Sequence, residues 1–382
     1  MDQVEELKQQ DHLEQYIIVG DIGGTNFRLR LSREVLVQDK VQYYESIQEL
    51  EFPVNKRQLK QVLIAHAGYQ NGKFYGVGRD KGESVQHIQD HYETTNVRFL
   101  NDAEGMAQSI IAQEYLSSKN QGLFIQLKHQ DTLEISNQHS KVKFLFSMGT
   151  GLGTAIVLPY PNGNPSRSFV NSSEGWASFC SVNELDERQQ ALGKYMFNKM
   201  KTKSSLIKLC KGQGIFLLHQ FMKTQHPELD TTIEDAVKKA LKAQAKATNK
   251  KEKVIINKQE CITYAALNDL DPLCTKTIDF MIEIIAICIR KIALTTLPMG
   301  GIFIGGGVSN YLSSHIEKRQ DIFWQHFLGE MNENSSQQQQ QADMDAQSFP
   351  NLILRQIPIY VMRENPTLDG LEAMLLEEQK SD

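Results

Sequence analysis

The sequence predicts an α/β protein with two domains, and three glycine-rich turns carry that prediction. The apolar run Ile17-Ile18-Val19 enters the first turn, and residues 27–31 leave it with apolar side chains at every second position, as in a half-buried strand. The same order of strand, glycine turn and strand returns around residues 149–153. A third glycine run, at residues 305–307, follows an apolar strand and leads into a helix. Two hairpins of one build indicate two domains of related build that face each other.

Length and composition agree with this class. The chain has 382 residues, which is enough for two domains of ordinary size and a large core. Charged residues make up 23% of the chain and hydrophobic residues 40%, ordinary values for a globular protein. The net charge of −5 gives no global indication of nucleic acid or an anionic membrane as a partner.

The cysteines and the apolar segments predict a cytoplasmic protein that does not enter the membrane. Five cysteines are scattered and form no Cys-x-x-Cys pair, which favours reduced thiols over a disulfide framework or a zinc site. The start of the chain is acidic and resembles neither a signal peptide nor a typical transit peptide. The most apolar stretch, residues 278–297, is interrupted by Glu283, Arg290 and Lys291, so we expect a buried core helix there.

Periodicity predicts the elements of the first half of the chain after a polar lead-in. Alternating apolar residues indicate a third strand over residues 35–44, and residues 58–65 and 97–100 indicate two more. Helical spacing of apolar residues begins at Ala103. Asn101 and Glu104 stand three residues apart and predict a hydrogen-bonded helix start, the capping box.

The second half alternates strands with longer helices. We expect strands at residues 124–127, 143–146, 155–158, 301–304 and 356–362, and helices at residues 183–201, 214–222, 271–297, from about 309, and 369–378. The glutamine run at residues 337–341 predicts a disordered surface loop. The lysine-rich residues 238–258 indicate a solvated helix end or an exposed loop. A partner site is the alternative for both segments.

The first glycine turn has the chemistry of a phosphate-binding loop. Its two glycines, Gly23 and Gly24, let backbone N–H groups approach a ligand closely. Thr25 adds a hydroxyl, and Asp21 adds a carboxylate that suits a hydrated Mg²⁺ ion. A purely structural hairpin is the alternative.

Three common nucleotide-binding patterns are excluded by the order of residues. The second glycine turn runs into another strand, whereas the Rossmann fingerprint opens a helix. No stretch supplies the Walker pattern Gly-x4-Gly-Lys-Ser/Thr. The His-Arg-Asp and Asp-Phe-Gly motifs of protein kinases are also missing from the sequence.

Paired phosphate hairpins with a third glycine corner are instead typical of the actin and sugar-kinase architecture, and the chain resembles the bacterial-type glucokinase family of the hexokinase–actin superfamily. The matching stretches are Gly20-Asp21-Ile22-Gly23-Gly24-Thr25-Asn26 with Arg28, Leu100-Asn101-Asp102-Ala103-Glu104, Gly149-Thr150-Gly151-Leu152-Gly153-Thr154, Ser173-Glu174-Gly175, residues 300–307, Ile357-Pro358-Ile359-Tyr360, and Asn365-Pro366. They occur in family order and span nearly the whole chain.

The resemblance implies two actin/hexokinase-like (ribonuclease H-like) domains that flank a deep cleft and close on the sugar. The small α/β domain would comprise residues 1–120 and 356–382, and the large α/β domain residues 121–355. Family members are often dimers, so a homodimer is a possible assembly, although the residues themselves give no sign of an oligomer.

The resemblance also implies transfer of the γ-phosphoryl group of ATP to the 6-hydroxyl of glucose or a related hexose, the entry step of glycolysis. Asp102 would be the general base, and Asn101 and Glu174 would bind the sugar. Asp21 would hold Mg²⁺ through water. The residues that would bind ATP are Gly20, Asp21, Ile22, Gly23, Gly24, Thr25, Gly149, Thr150, Gly151, Gly153, Gly305, Gly306 and Gly307. The alternative for Asp102 is a carboxylate that only stabilises a helix start, by about 1 kcal/mol.

The chain departs from the family on the sugar side. Trp176 and Ala177 stand where the family has a second glycine and a histidine that contacts the sugar. No acidic residue occurs from 188 to 227, and Ile207 lies near the place of a second family glutamate. The small-domain loops are altered too, at Gly78-Arg79-Asp80 and Ala67-Gly68-Tyr69. A second hypothesis is therefore an impaired relative that serves as a nucleotide-binding, structural or regulatory subunit, although the retained Asn101-Asp102 pair favours an enzyme.

Overall fold

The computed structural model describes most of the two sheets and the helices packed on them. The described residues are 16–22, 27–37, 40–48, 59–66, 69–70, 73–74, 96–113, 116–117, 120, 122–129, 141–159, 169–173, 187–200, 209–229, 235, 237–239, 242–243, 258–329 and 349–381. The chain divides into two compact units. The first unit comprises residues 1–116 and 366–382, and the second comprises residues 117–365.

A five-stranded sheet forms the centre of the first unit. Its strands are β1 (Tyr16–Ile22), β2 (Phe27–Val37), β3 (Lys40–Gln48), β4 (Leu59–His66) and β7 (Val97–Asn101), in the order β3-β2-β1-β4-β7. Strands β1, β4 and β7 are parallel, whereas β1-β2 and β2-β3 are antiparallel. A small ribbon pairs β5 (Tyr69–Gln70) with β6 (Lys73–Phe74).

Two helices, α1 (Asp102–Ile111) and α9 (Thr367–Ser381), pack against the sheet of this unit. The apolar residues on one face of β1 and β4 meet the leucines of α9, because strand residues two apart share a face. The buried cluster consists of Ile17, Val19, Leu63, Ala65, Leu368, Leu371, Leu375 and Leu376. The two helices also touch closely, since a Cβ added at Gly370 would lie 2.5 Å from the backbone nitrogen of Ser109.

Charged side chains join α9 to the neighbouring strand β2. Arg30 donates from Nη1 to Asp369 Oδ1 at 2.6 Å and to Glu372 Oε2 at 3.3 Å. The hydroxyl of Ser32 donates to the other oxygen of Glu372. Burial by itself lowers the pKa of Arg30, but the carboxylates of Glu372 and Asp369 outweigh it and raise that pKa. The ion pairs of Arg30 therefore hold α9 against β2.

The second unit is built on a six-stranded sheet. Its strands are β8 (Phe124–Leu127), β9 (Lys143–Met148), β10 (Leu152–Leu158), β11 (Phe169–Ser173), β12 (Gly301–Gly305) and β13 (Ile359–Met362), in the order β11-β10-β9-β12-β13-β8. The central strands β9, β12 and β13 are parallel. Their nearly continuous apolar sequences are typical of strands covered on both faces.

Helices cover this sheet, and the longest of them is the core of the unit. The helices are α2 (Glu187–Met200), α3 (Gly212–Gln225), α4 (Lys258–Leu267), α5 (Pro272–Thr296), α6 (Gly307–Lys318), α7 (Gln320–Leu328) and α8 (Phe349–Leu354). Helix α5 begins after Asp271, which accepts from the backbone N–H of Cys274 at 2.9 Å. Most of α5 is buried, so the predicted core helix is confirmed. Among the described residues, no helix has the length and apolar character needed to span a membrane.

Two sequence predictions need correction. The predicted small domain includes residues 117–120 and 356–365, which belong to the second unit. Strand β13 pairs there with β12 and β8. The third strand was predicted over residues 35–44, whereas β2 continues to Val37 and β3 begins at Lys40. Val35, Val37 and Val41 share one alternating phase, so the pattern did not separate β2 from β3.

Several predicted features lie outside the described residues. They are residues 23–26, 78–80, 174–177, 207 and 337–341, and most of residues 238–258.

Candidate functional site

The parallel strands of the first unit bring the predicted sugar-side residues to one edge of the sheet. Strands β1, β4 and β7 all end there, and their last residues, Ile22, His66 and Asn101, are direct neighbours in the register. Asp21 pairs one position earlier. Ligands of open α/β sheets bind at this carboxyl edge. The structure thus places Asp21 near the end of β1 and Asn101 and Asp102 at the end of β7, with β4 between the two strands.

Asn101 and Asp102 form the start of helix α1. Asn101 Oδ1 accepts from the N–H of Ala103 at 3.0 Å, and Asp102 Oδ1 accepts from the same N–H at 2.8 Å. The backbone N–H of Asn101 donates to Glu104 Oε2 at 3.4 Å, so the predicted capping box is confirmed. The alternative role for Asp102, a carboxylate at a helix start, is therefore present in the structure. A contact between Asp102 and a sugar would occur in addition to this hydrogen bond.

Glu104 has a perturbed acidity at this helix start. Burial raises the pKa of its carboxyl group. The hydrogen bond from the Asn101 backbone and the charge of Arg98 lower that pKa by a smaller amount, so the net change is upward. A helix N-terminus attracts negative charge, which lets Glu104 remain in the cap.

The first hairpin is confirmed, but its strand is longer than predicted. Residues 20–22 were placed in the turn, whereas β1 continues through Ile22 and pairs with β2 up to Phe27. A Cβ at Gly20 would lie 2.7 Å from Leu29 Cδ2, so packing between strands is a sufficient reason for glycine there. Asp21 is buried and accepts from Arg28 Nη2 at 2.9 Å. The turn itself, residues 23–26, is outside the described part of the chain.

The second hairpin is described completely. Strands β9 and β10 pair from Met148 and Leu152 onwards, so residues 149–151 form the turn. Within it, the N–H of Gly149 donates to the carbonyl of Gly151 at 2.9 Å. A Cβ at Gly149 or Gly151 would meet no described atom within 4 Å, and neither glycine has a positive φ. The described chain therefore leaves open space beside both glycines, which a ligand can approach.

The glycine corner at residues 305–307 packs against this turn. Gly305 ends β12 beside Ser147, and Gly307 begins α6, two residues earlier than predicted. Gly306 has φ +92°, a conformation that favours glycine, and a Cβ there would lie 2.4 Å from the carbonyl oxygen of Met148. The corner and the hairpin thus meet backbone to backbone.

Two helix N-termini lie beside this turn, and α3 begins two residues earlier than the predicted helix at residues 214–222. The N–H of Gly212, the first residue of α3, donates to the carbonyl of Gly149 at 3.1 Å. Neither Lys211 before α3 nor Gly306 before α6 caps its helix with a side chain. Helix N-termini attract anions through the helix dipole and their terminal N–H groups.

The candidate residues fall into two groups, one in each unit. Asp21, Asn101 and Asp102 belong to the first unit, and the second hairpin and the glycine corner belong to the second. Glu174 lies outside the described residues, as do Gly23, Gly24 and Thr25. In the part of the chain that the structure describes, no group of His, Cys, Asp or Glu side chains has the arrangement of a metal-binding cluster.

The sequence profile of the glucokinase family matches residues 82–378. The chain belongs to the glucokinase family. Among curated relatives, the glucokinase of Trichormus variabilis is 27% identical over 305 residues, which cover 77% of this chain and 84% of that protein. The glucokinase of Helicobacter pylori is 23% identical over 304 residues, covering 76% and 80%. The profile match begins at residue 82, after the first hairpin. The prediction that this hairpin binds phosphate therefore depends on its own glycine motif.

Solved structures confirm the fold. The glucokinase of Balamuthia mandrillaris in complex with glucose superposes with a TM-score of 0.64 at 14% identity, covering 96% of this chain and 94% of that one. A transcriptional regulator of the ROK family superposes with a TM-score of 0.51 at 15% identity, covering 96% and 78%. The predicted actin/hexokinase-like α/β class with two domains is thus confirmed, and the fold is shared by an enzyme and a regulator.

Proposed function

We propose that the protein transfers the γ-phosphoryl group of ATP to the 6-hydroxyl of glucose or a related hexose. Membership of the glucokinase family supports a sugar kinase. The observation that carries the ATP part is the open space beside Gly149 and Gly151, next to the uncapped N-termini of α3 and α6. Backbone N–H groups and two helix dipoles there suit the charge of a polyphosphate.

The sugar part of the proposal depends on the start of α1. Asp102 stands at the carboxyl edge of the sheet beside Asn101, and a carboxylate within hydrogen-bonding reach of a hydroxyl can take its proton. In the proposed step the O6 oxygen attacks the γ-phosphorus, the bond to the bridging oxygen breaks, and ADP leaves. The proton of the 6-hydroxyl passes to Asp102. Asn101 holds the sugar while its Oδ1 keeps capping the helix.

Magnesium fits this arrangement as an ion that enters with ATP. Mg²⁺ in kinases is held mainly by phosphate oxygens and water, with only one or two carboxylates from the protein. Asp21 would supply such a carboxylate through a water molecule. Asp21 accepts a hydrogen bond from Arg28 Nη2, and one carboxylate can accept from more than one donor. The ion would neutralise phosphate charge.

A coupled assay of ADP release with glucose and a panel of other hexoses tests the proposal. We expect turnover that depends on sugar, and we expect Asp102→Ala to lower kcat by roughly 10²–10⁴-fold because the general base is lost. Asp279→Ala, which removes a carboxylate bonded to His315 and Arg319 in the second unit, is the control and should keep sugar-dependent turnover. Absence of turnover with every sugar would reject the enzyme.

A second candidate function is supported by the altered sugar-side residues. Ala177 cannot hydrogen-bond through its side chain, and no acidic residue occurs from 188 to 227. Each lost hydrogen bond to a buried hydroxyl costs about 1–3 kcal/mol. A nucleotide-binding subunit without turnover would show a thermal shift with Mg-ATP and no ADP release with any sugar.

A further inference from the structure

His66 has an imidazole side chain at the carboxyl edge of the first sheet, and no role has yet been given to it. It is the last residue of β4 and lies between Ile22 and Asn101 in the register of the three parallel strands. Its side chain is partly exposed. An imidazole thus stands directly beside the strand end that carries the proposed sugar-binding residue.

The register and the packing of Ala65 fix the face from which His66 projects. Ala65 points towards α1, because a Cβ added at Gly105 would lie 2.4 Å from Ala65 Cβ. Successive side chains in a strand point to opposite faces, so His66 projects from the other face. Asn101 is its paired residue on β7 and starts from the same face. His66 and Asn101 therefore form a neighbouring pair of hydrogen-bonding side chains.

We propose that His66 determines sugar specificity by hydrogen-bonding one hydroxyl of the sugar that Asn101 holds. This inference rests on the proposed function and names a residue of that same site. A neutral imidazole carries one donor and one acceptor, so a single ring nitrogen is enough to hydrogen-bond a sugar hydroxyl. Ala177 has no side-chain hydrogen-bonding group where the family has a histidine, so the sugar needs other hydrogen-bonding residues.

The test compares His66→Ala and His66→Gln with the wild type on glucose and on a series of monodeoxyglucoses. We expect His66→Ala to raise KM for glucose about tenfold, which equals roughly 1.4 kcal/mol of lost binding. It should change kcat by less than about threefold. His66→Gln, which keeps a donor and an acceptor, should recover part of the loss. One deoxy sugar, the one that lacks the contacted hydroxyl, should have the same KM with the wild type and with His66→Ala.

That last comparison separates a sugar contact from a structural role. A histidine that only stabilises the strand would change KM by one common factor for every sugar in the series, and this result would overturn the proposal. An unchanged KM for glucose in His66→Ala would overturn it as well. His226→Ala is the matched control, because His226 follows the end of α3, about 20 Å from the N-terminus of that helix. The control should behave as the wild type with every sugar.

Failure of the proposed function would be recognised separately. If the wild type turns over no sugar, calorimetric titration with glucose and the same deoxy sugars replaces KM by Kd. The change in Kd between the wild type and His66→Ala across the sugars then shows whether His66 contacts one hydroxyl. Absence of glucose binding rejects the proposed contact. If the wild type phosphorylates glucose but the His66 variants do not show the expected KM changes, the proposed function is kept and the role of His66 in sugar specificity is rejected.

Discussion

Gly306 and Gly149 are glycines for different physical reasons, although both belong to glycine runs of the same candidate site. Gly306 has a positive φ and touches the carbonyl of Met148, so the protein itself needs glycine there. Gly149 has an ordinary φ and open space at its Cβ position among the described residues. One glycine therefore maintains the fold, and the other leaves room for a ligand.

Substitution by alanine separates these two roles. We expect Gly306→Ala to destabilise the protein by about 1–3 kcal/mol through backbone strain alone, with a further cost from the contact with Met148. Its Tm should fall by roughly 3–10 °C. Gly149→Ala should keep its Tm within about 2 °C. It should also raise KM for ATP roughly tenfold, because a methyl group fills the open space.

Thermal unfolding and Mg-ATP titration of both variants make the comparison. A Gly306→Ala protein with wild-type Tm would contradict the conformational argument. A Gly149→Ala protein with wild-type affinity for Mg-ATP would contradict the placement of phosphate beside this turn.

At the scale of elements, the contact between α3 and α5 contains a buried histidine of fixed tautomer. His219 Nδ1 lies 3.3 Å from Thr277 Oγ1, whose own proton goes to the carbonyl of Leu273 at 2.7 Å. Nδ1 therefore carries the imidazole proton, and Nε2 is buried with no hydrogen-bond partner among the described residues. Burial lowers the pKa of His219, Asp271 raises it and Lys223 lowers it further.

This histidine makes folding sensitive to acid. Its pKa in the folded protein lies below the unfolded value of about 6.5. As the pH falls below 6.5, the unfolded chain binds this proton before the folded protein does, so the free energy of unfolding decreases. We expect His219→Gln to have a flatter dependence of Tm on pH between about 6.5 and 5.

Differential scanning fluorimetry over a pH series measures the effect. An unchanged slope in His219→Gln would mean that other groups cause the acid sensitivity.

Local patterns predicted most elements, whereas pairing between distant segments had to come from the structure. The bounds of β8 were predicted without error, and α5 within one residue at each end, because apolar periodicity and the Asp271-Pro272 helix start are local signals. The partners of β13 depend on residues more than 50 positions away, so its unit was misassigned. Similarly, spacing alone predicted the Asn101 cap, but the contact of Gly212 with Gly149 is tertiary and has no local signature.

For the whole molecule, the first unit needs both parts of the chain that form it. Helix α9 buries Leu371 against β1 and β4, and Arg30 holds the same helix through Asp369 and Glu372. The second unit, residues 117–365, has its own sheet and its own core around α5. Damage to α9 should therefore affect the first unit selectively.

Leu371→Asp tests this separation. A carboxylate buried without a partner costs several kcal/mol, about as much as a domain's whole stability. Limited proteolysis with mass spectrometry should then show rapid cleavage within residues 1–116 while a fragment close to residues 117–365 persists. Leu352→Asp, at a leucine that is 50% exposed on α8, is the control and should give the wild-type pattern. Equal cleavage of both units in Leu371→Asp would show that they unfold together.

The insertion of the second unit between α1 and α9 also sets an order for synthesis. Ribosomes make the sheet of the first unit, then the entire second unit, and only afterwards the helix that covers Ile17, Val19 and Leu63. Domains fold as units during translation, usually from the N-terminus onwards. Here the later-made unit is the first to be complete. Until α9 is made, the early sheet keeps an apolar face that α1 covers only in part. During that interval a nascent chain would depend most on a chaperone.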